Sequence, residues 1–441
     1  MAVFFSDYFD VKPDSLKEYN ALNISLVSDL PLFLDPFLLF ESKDGKYDYL
    51  KDEVINYFSM LNDINTPVNL CRFPEVPNNW LGFCVYGCMG KGLSLSFALN
   101  LKENIHHMFS DDFIHIGKLS LIKANLGTDN ISDMIVNILK GFFLEYTEKY
   151  AKKYLLNSDK AKNISVKNAV FNYEKKRWED KEYYLPYISK ENSESFIILT
   201  PKDLLSKNKA WINRESMVAD FDDIVDSLSN EQLRLKLRQL EIKYLPVNQD
   251  DCTAEERKIA KNKAIDDCRE FIKLYIEFKI DNKRDAFNEI GKVIDNIEIQ
   301  YINNINDVVS ELKKTTDFYN TNDVEEKVDI LKTFIENGYI KSLAREIDKS
   351  EGNKGNIERL FNLIWLHETP VDNLPNKFKL PFNIILPTSL NNAIKREEKE
   401  IGEKRNLVIC YSNKHLLNVN SQLSKTKVKY RFEVINCSLF Q

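Results

Sequence analysis

Two acidic residues stand close together in "NLGTDNISDM", at Asp129 and Asp133, just before an apolar run. Carboxylates that lie side by side can bind a divalent cation. In metal-dependent nucleases, a second acid and a lysine complete such a site: the acids hold the metal, and the lysine steadies the attacking hydroxide or the charge that develops on the phosphate. The stretch is therefore a candidate for the first half of a metal site.

The second half would be an acid-x-lysine triplet on a neighbouring strand. A chain with 29% charged residues contains several such triplets by chance. Two of them, at Glu277 and Glu397, fall in stretches with a helical pattern, whereas Glu174 in "VFNYEKKRW" adjoins a predicted strand. The residues alone thus favour Asp129 and Glu174 as metal ligands, Lys176 as the catalytic lysine and Mg²⁺ as the cation.

A purely structural interpretation accounts for part of this pattern. Apolar residues recur at helical spacing between Ser132 and Leu155, which predicts one helix. Ser132 is suited to the N-cap, and Asp133 would then lie in the first turn, where a negative charge is stabilised by the helix dipole. Helix capping explains Asp133 and leaves Asp129 unexplained.

Other catalytic or cofactor motifs are weak. The five histidines form no HxH or HExxH pattern. Cys84 and Cys88 are spaced more widely than a zinc-binding CxxC pair, no second pair follows, and buried small side chains are the better interpretation. The GxxGxG order of Gly87, Gly90 and Gly92 matches neither nucleotide-binding motif and predicts a flexible turn.

Composition and charge limit the class of protein. The 441 residues are 43% hydrophobic and 12% aromatic, which is typical of a globular chain of two or three domains. The net charge of −6 does not indicate nucleic-acid binding by the chain as a whole. Seven cysteines, no secretion signal and no long apolar run predict a cytoplasmic protein with reduced thiols and no membrane partner.

The proline and charge patterns predict three sections in an α+β fold. Residues 1–245 mix predicted strands and helices in an α+β domain. Between Pro246 and Pro370 the chain has no proline, and apolar residues recur every three or four positions. This pattern predicts a long all-helical domain over residues 246–369. Residues 370–441 predict a small β-rich domain, and its basic character rests on 12 basic against 6 acidic residues over 371–441.

The last predicted strand, "SKTKVKYRFEV", suggests a binding surface. Side chains alternate along a strand, so four cations would line one face, namely Lys425, Lys427, Lys429 and Arg431. Their spacing would suit successive phosphates of a nucleic-acid strand. An edge strand whose lysines prevent sheet-to-sheet aggregation explains the same pattern equally well.

Four phrases in a fixed order resemble a bacterial family associated with restriction and phage defence. The phrases are "SDLPLFLDPFLLF", "WLGFCVYGCMGKGLSLSFALNL", "GTDNISDMIVNILKGFFLEYT" and the run from "FNYEKKRWEDKEYYLPY" to "FIILTPKDLLSKNKAWINR". The resemblance covers roughly residues 20 to 240. Longer members resemble proteins with a C-terminal PD-(D/E)XK nuclease, which implies DNA as the target and Mg²⁺ as the cofactor.

That implied nuclease is not recognisable in the C-terminal part of this chain. "NIERLFNLIW" resembles the lead-in to the nuclease module, and Asp372 in "PVD" resembles its first acid. The strand-borne acid-x-lysine signature does not follow, because the nearest candidate, Glu397 with Lys399, lies in a charged helical stretch. The module is therefore degenerate or replaced.

Carried over position by position, the resemblance adds Lys202 and Asp203 of "TPKD" to the candidate catalytic residues. It predicts that Asp129 shares a polar corner with both. The expected function is an intracellular anti-phage defence protein that engages DNA, as a metal-dependent nuclease or a degenerate one. The alternative is a non-catalytic sensor or assembly subunit that recognises a phage protein or a second defence subunit.

Overall fold

The computed structural model describes residues 4–27, 30, 32–74, 76, 93–109, 112–122, 128–190, 193–207, 210–246, 252–340, 343, 354–369, 378–400, 402–410 and 412–436. Helices and three small sheets alternate along the chain, so the predicted α+β fold class is confirmed. The predictions for Cys84, Cys88, the glycine-rich turn and Asp372 lie outside the described residues.

The first section combines helices with two small antiparallel sheets. Its helices are α1 (Phe5–Phe9), α2 (Pro13–Glu18), α3 (Pro36–Phe40), α4 (Asp48–Asn62), α5 (Leu95–Asn104), α6 (Gly117–Ile122), α7 (Thr128–Ile138), α8 (Lys140–Tyr154), α9 (Arg214–Ala219), α10 (Phe221–Ser227) and α11 (Glu231–Tyr244). Its strands are β1 (Leu32–Leu34), β2 (Ala161–Asn172), β3 (Arg177–Lys190), β4 (Ser193–Phe196) and β5 (Leu205–Lys207). β1 pairs with β5, and β3 lies between β2 and β4.

β2 and β3 form a long hairpin with one irregularity. The ladder begins with Ala161 opposite Pro186, and its register shifts between Val166 and Val170. Asn168, inside this bulge, has a φ of +50°, a left-handed conformation that asparagine tolerates better than most residues. A bulge bends the strand and re-aims a side chain, which matters for the site described below.

The helix predicted from Ser132 to Leu155 differs from expectation in two ways. It is interrupted once, between α7 and α8. It also begins at Thr128, so Ser132 is not the N-cap; its hydroxyl oxygen instead accepts a hydrogen bond from the Leu34 main-chain N–H at 3.0 Å. Asp133 consequently lies in the second turn, where stabilisation by the helix dipole has largely fallen off.

The middle section is helical, as its sequence pattern predicts. Its helices are α12 (Ala254–Asp267), α13 (Glu270–Asp281), α14 (Lys283–Glu298), α15 (Asn304–Thr315), α16 (Val324–Glu336) and α17 (Lys354–Leu366). Thr253 and Glu256 form a reciprocal capping box at the start of α12, which satisfies two main-chain N–H groups. Within the described part of the chain, no helix is long and apolar enough to cross a membrane.

The last section is an alternating βαβαβ unit, which corrects the expectation of a β-rich domain. Its elements are β6 (Phe382–Ile385), α18 (Leu390–Lys399), β7 (Arg405–Cys410), α19 (Asn413–Leu423) and β8 (Phe432–Asn436). The three strands are parallel in the order β6-β7-β8. Parallel neighbours need a crossover connection, and α18 and α19 supply the two crossovers.

The hydrophobic core joins the three sections. Val408 and Cys410 on one face of the last sheet pack in a cluster with residues of α18 and α19. Leu407 and Ile409, on the opposite face, belong to the largest cluster, which also contains side chains of α13 to α17 and of the first section. A second cluster lies beneath the β2–β3 hairpin, among α4, α7 and α8.

Candidate functional site

The structure places two of the three side chains of the predicted polar corner, those of Lys202 and Asp203. Asp129 lies in the first turn of α7, and its side chain is outside what the structure describes. Lys202 donates to the Glu298 carboxylate of α14 at 2.6 Å and is largely buried. It therefore ties the "TPKD" turn to the helical section.

Asp203 accepts hydrogen bonds from three side chains on two segments of the chain. Its donors are the Asn20 amide at 2.7 Å, the Lys46 ammonium at 2.6 Å and the Tyr47 hydroxyl at 2.8 Å. Burial, reinforced by the Asp203 charge, raises the pKa of Tyr47 far above its ordinary value, so this hydroxyl remains a donor. The side chain acts here as a junction between segments.

Glu174 and Lys176 belong to no group of three potential metal ligands among the described residues. Both are exposed in the turn that joins β2 to β3. The Lys176 ammonium faces the Asp63 carboxylate of the α4 end at 3.8 Å. No group of three potential ligands from histidine, cysteine, aspartate and glutamate is found among the described residues. The Mg²⁺ site predicted from the residues stays a prediction, because the Asp129 side chain lies outside the described residues.

The predicted row of four cations on one strand face is wrong. β8 begins only at Phe432, and a 3₁₀ turn over Lys429–Arg431 precedes it, so the strand alternation does not apply. Lys425, Lys427 and Lys429 are exposed, whereas Arg431 turns inward.

Arg431 instead closes the loop after α18. Its guanidinium donates to the Gly402 carbonyl and lies 3.6 Å from the Glu397 carboxylate, which is only 2% exposed. Val428 and Phe432 both pack into the core, which explains why this segment turns instead of continuing as an extended strand.

A buried acid and a buried histidine, which the sequence did not single out, lie at the centre of the first section. Asp35 accepts from the main-chain N–H groups of Phe37 and Trp211, both at 2.9 Å, and burial raises its pKa to about 6. Burial lowers the pKa of His115 to about 3, so its ring is neutral. Both line an internal cavity of only about 10 Å³, which admits no substrate.

A cleft among the described residues lies at the bulged hairpin, with a volume of about 260 Å³. Three parts of the chain form it: residues 69–74 with Val76, the α7–α8 junction and the β2–β3 hairpin. Its lining residues are Asn69, Leu70, Arg72, Phe73, Pro74, Val76, Asn137, Lys140, Asn168 and Trp178. Among these described residues the only charged groups are two cations, and no carboxylate is present.

Local structure places Lys140 and Asn168 in this cleft. Gly141 allows α8 to approach the hairpin closely, because a Cβ there would lie 2.8 Å from the Val170 side chain. The Lys140 ammonium donates to the Lys167 carbonyl at 2.8 Å. The Asn168 main-chain N–H donates to the Asp180 carboxylate at 2.8 Å, which holds the bulge.

The indole of Trp178 packs against two aromatic rings. The Tyr57 ring lies with its centroid 5.9 Å away, and the Tyr57 hydroxyl donates to the Leu70 carbonyl at 3.0 Å. The Phe171 ring meets the indole edge-on, with centroids 5.2 Å apart. The ring remains partly exposed and lines the cleft.

Electrostatically, the cleft suits an anion. Burial lowers the pKa of Lys140, and the Asp180 charge opposes part of this effect. An anionic ligand in the cleft would stabilise the charged form of the lysine. Arg72 is exposed and offers a planar fork of donors that matches carboxylate or phosphate oxygens. Two cations beside a fixed aromatic ring favour a ligand that carries both a phosphate and a planar base.

The sequence analysis did not predict the cleft residues, although one of them carries a recognisable pattern. Trp178 stands two positions beyond Lys176 in a run of lysines and arginine, and aromatics interleaved with cations are typical of nucleic-acid-binding surfaces. Arg72 and Lys140 gave no comparable signal, because each is an isolated cation in its own segment.

Comparison with known proteins adds one match. No curated protein matches the chain, and no solved structure does. Residues 10–213, slightly less than half of the chain, match a family described as "Domain of unknown function (DUF8370)", and the matched range contains every residue of the cleft.

Proposed function

We propose that this chain engages nucleic acid, with DNA as the natural target, through the cleft beside the bulge and the turn of the β2–β3 hairpin. The observation that supports the proposal most is the lining of that cleft: Arg72 and Lys140 are its only charged described residues, and Trp178 supplies an aromatic surface. Arginine binds phosphate oxygens through two parallel donors, and lysine adds a point charge.

The proposed biological role is intracellular defence against phage, which follows from the family resemblance of the first section. Binding without cleavage, as in a degenerate nuclease, agrees better with the described residues than hydrolysis does. Glu174 is exposed in a turn, and it has no described acid partners that would complete a cation site. A double variant, Asp129→Ala with Glu174→Ala, tests the metal-dependent version: loss of Mg²⁺-dependent DNA cleavage by the full chain would favour it.

Fluorescence anisotropy of labelled DNA with the purified full chain tests the binding proposal. Replacing Arg72 and Lys140 by Gln should weaken binding of all sequences and flatten the slope of log K against log salt by roughly one to two units, since about 0.7–0.9 units accompany each neutralised phosphate. The matched control replaces Lys12 and Lys17 by Gln. It removes the same charge from two exposed lysines outside the cleft and should leave the slope unchanged.

A third variant separates the cleft from the C-terminal cations. Replacing Lys425, Lys427 and Lys429 by Gln tests the surface predicted from the sequence. If only this variant weakens binding, the DNA contact belongs to the C-terminal section and the cleft proposal is wrong. If the unaltered chain binds no nucleic acid, the protein-recognising sensor or assembly subunit becomes the better hypothesis.

A further inference from the structure

We infer that the cleft accepts one unpaired nucleotide, with its base against Trp178 and its phosphate between Arg72 and Lys140. The inference rests on the proposed function and names its substrate class: single-stranded nucleic acid, or a duplex from which one base has been extruded. Three features of the cleft support it, namely the accessible indole, the small volume and the arrangement of the polar groups.

The indole is accessible and already fixed. The contacts with the Tyr57 and Phe171 rings hold the indole in one orientation, so stacking a base on it costs little side-chain entropy. A base inside a duplex has both faces covered by its neighbours. Only an unpaired or extruded base can present a face to Trp178.

The volume of the cleft sets the number of bases. At about 260 Å³ it lies just below the range of small-molecule pockets, which begins near 300 Å³. That space suits one nucleotide-sized group that remains partly open to solvent. The flanking nucleotides of a strand would lie outside, along the exposed cations Lys175, Lys176 and Arg177 at the turn end of the hairpin, where phosphates would compete with the carboxylates of Glu179 and Asp63.

Asn137 supplies a fixed acceptor in the same cleft. Its amide nitrogen donates to the Pro74 carbonyl at 2.7 Å and to the Asp133 carbonyl at 2.9 Å, which uses both of its hydrogens. The amide oxygen is then the group that Asn137 offers to a ligand. An acceptor in a fixed orientation suits the amino or imino group on the edge of an unpaired base.

The test compares four probes on the full chain: a single-stranded oligonucleotide, the same strand with one abasic position at each site in turn, its duplex, and inorganic phosphate. We expect the single strand to bind at least ten-fold more tightly than the duplex. Phosphate alone should compete only weakly, because it lacks the stacking contribution.

Variants of Trp178 test the stacking. Trp178→Leu should weaken single-strand binding between about five- and 150-fold, the range reported for loss of one base–aromatic contact, and duplex binding much less. Trp178→Phe retains a ring and should restore most of the affinity. Because Trp178 also packs against Tyr57 and Phe171, the readout is the ratio of single-strand to duplex affinity within each variant, which a general loss of folded protein does not change.

The possible failures are distinguishable. Equal or tighter binding of the duplex, with Arg72 and Lys140 still required, would overturn the unpaired-nucleotide inference and leave the proposed function standing. An unchanged affinity ratio in Trp178→Leu would also overturn it. Absence of binding to every nucleic-acid probe would remove both proposals together.

Discussion

Lys140 donates a hydrogen bond from its ammonium group to the main-chain carbonyl of Lys167 at 2.8 Å, across the junction of α8 and the bulged strand β2. The contact holds the cation at the cleft before any ligand arrives. The carbonyl also gives the partly buried ammonium group of Lys140 a hydrogen-bond partner, although no carboxylate of the described residues contacts it directly. The affinity of the cleft should therefore depend on the protonation of this one side chain.

The first prediction concerns pH. Burial lowers the pKa of Lys140 below its ordinary value of 10.5, so the charge that attracts a phosphate is lost at a lower pH than for a surface lysine. Nucleic-acid affinity should fall as pH rises through that lowered pKa. Lys140→Arg keeps its charge to far higher pH and should retain affinity there. Anisotropy titrations between about pH 7 and pH 10 compare the two proteins. Identical pH profiles would show that Lys140 does not contact the ligand.

The second prediction concerns Asp35. Burial raises its pKa from 3.8 to about 6, so the folded state holds this proton more tightly than the unfolded state does. The stabilisation from this raised pKa is complete below about pH 4 and is lost as pH rises to about 6. At 1.36 kcal/mol per pKa unit, the loss in unfolding free energy is about 3 kcal/mol. Asp35→Asn does not titrate. As pH rises from about 4 to about 6, the parent protein should therefore lose about 3 kcal/mol of unfolding free energy relative to Asp35→Asn. Urea denaturation at the two pH values measures this difference. A constant difference would contradict the raised pKa.

The third prediction tests the close approach at Gly141. A Cβ there would lie 2.8 Å from the Val170 side chain, so Gly141→Ala forces α8 away from the hairpin and should cost about 1–3 kcal/mol of stability. Shortening the neighbour with Val170→Ala in the same chain should recover part of that loss. A double-mutant cycle by thermal or urea unfolding gives the coupling. Additive effects would mean that the two side chains do not meet.

The fourth prediction concerns Arg431, which the sequence assigned to a binding face. Replacing it by Gln leaves the buried Glu397 carboxylate without its cation, and we expect a loss of about 2–4 kcal/mol in unfolding free energy. Changing Glu397 to Gln as well should lower that cost, because no unpaired charge is then buried. The exposed neighbours Lys425 and Lys427 serve as controls, and their Gln variants should stay within about 0.5 kcal/mol of the parent. A fully tolerated Arg431→Gln would argue against a stabilising role for the pair.

The sequence predicted the helices of the middle section and two strands of the last sheet because those elements have long periodic patterns or short apolar runs. It failed at Ser424 to Val434, where alternating lysines imitate a strand. The apolar residues Val428 and Phe432 turn that segment toward the core, so tertiary packing decides its conformation.

The cleft was beyond sequence reasoning for a different reason. Arg72, Lys140 and Trp178 come from three separate segments, and no local pattern connects residues that only the packing of α8 against the hairpin brings together. The bulge at Asn168 is equally hidden, since its left-handed conformation depends on the hydrogen bond to Asp180. Motif searches find chemistry that is contiguous in sequence, and this site is not contiguous.

The largest hydrophobic cluster contains both Phe4 and Ile435, residues at opposite ends of the described chain. At ribosomal rates of 5–20 residues per second, roughly 20–90 s separate the synthesis of these two side chains. During that interval the nascent chain carries an incomplete apolar surface, which is the condition under which chaperones bind. The locally paired β2–β3 hairpin can form early, whereas the parallel sheet must wait for its last strand. We therefore expect the yield of folded protein to rise when the unfinished core is protected during translation.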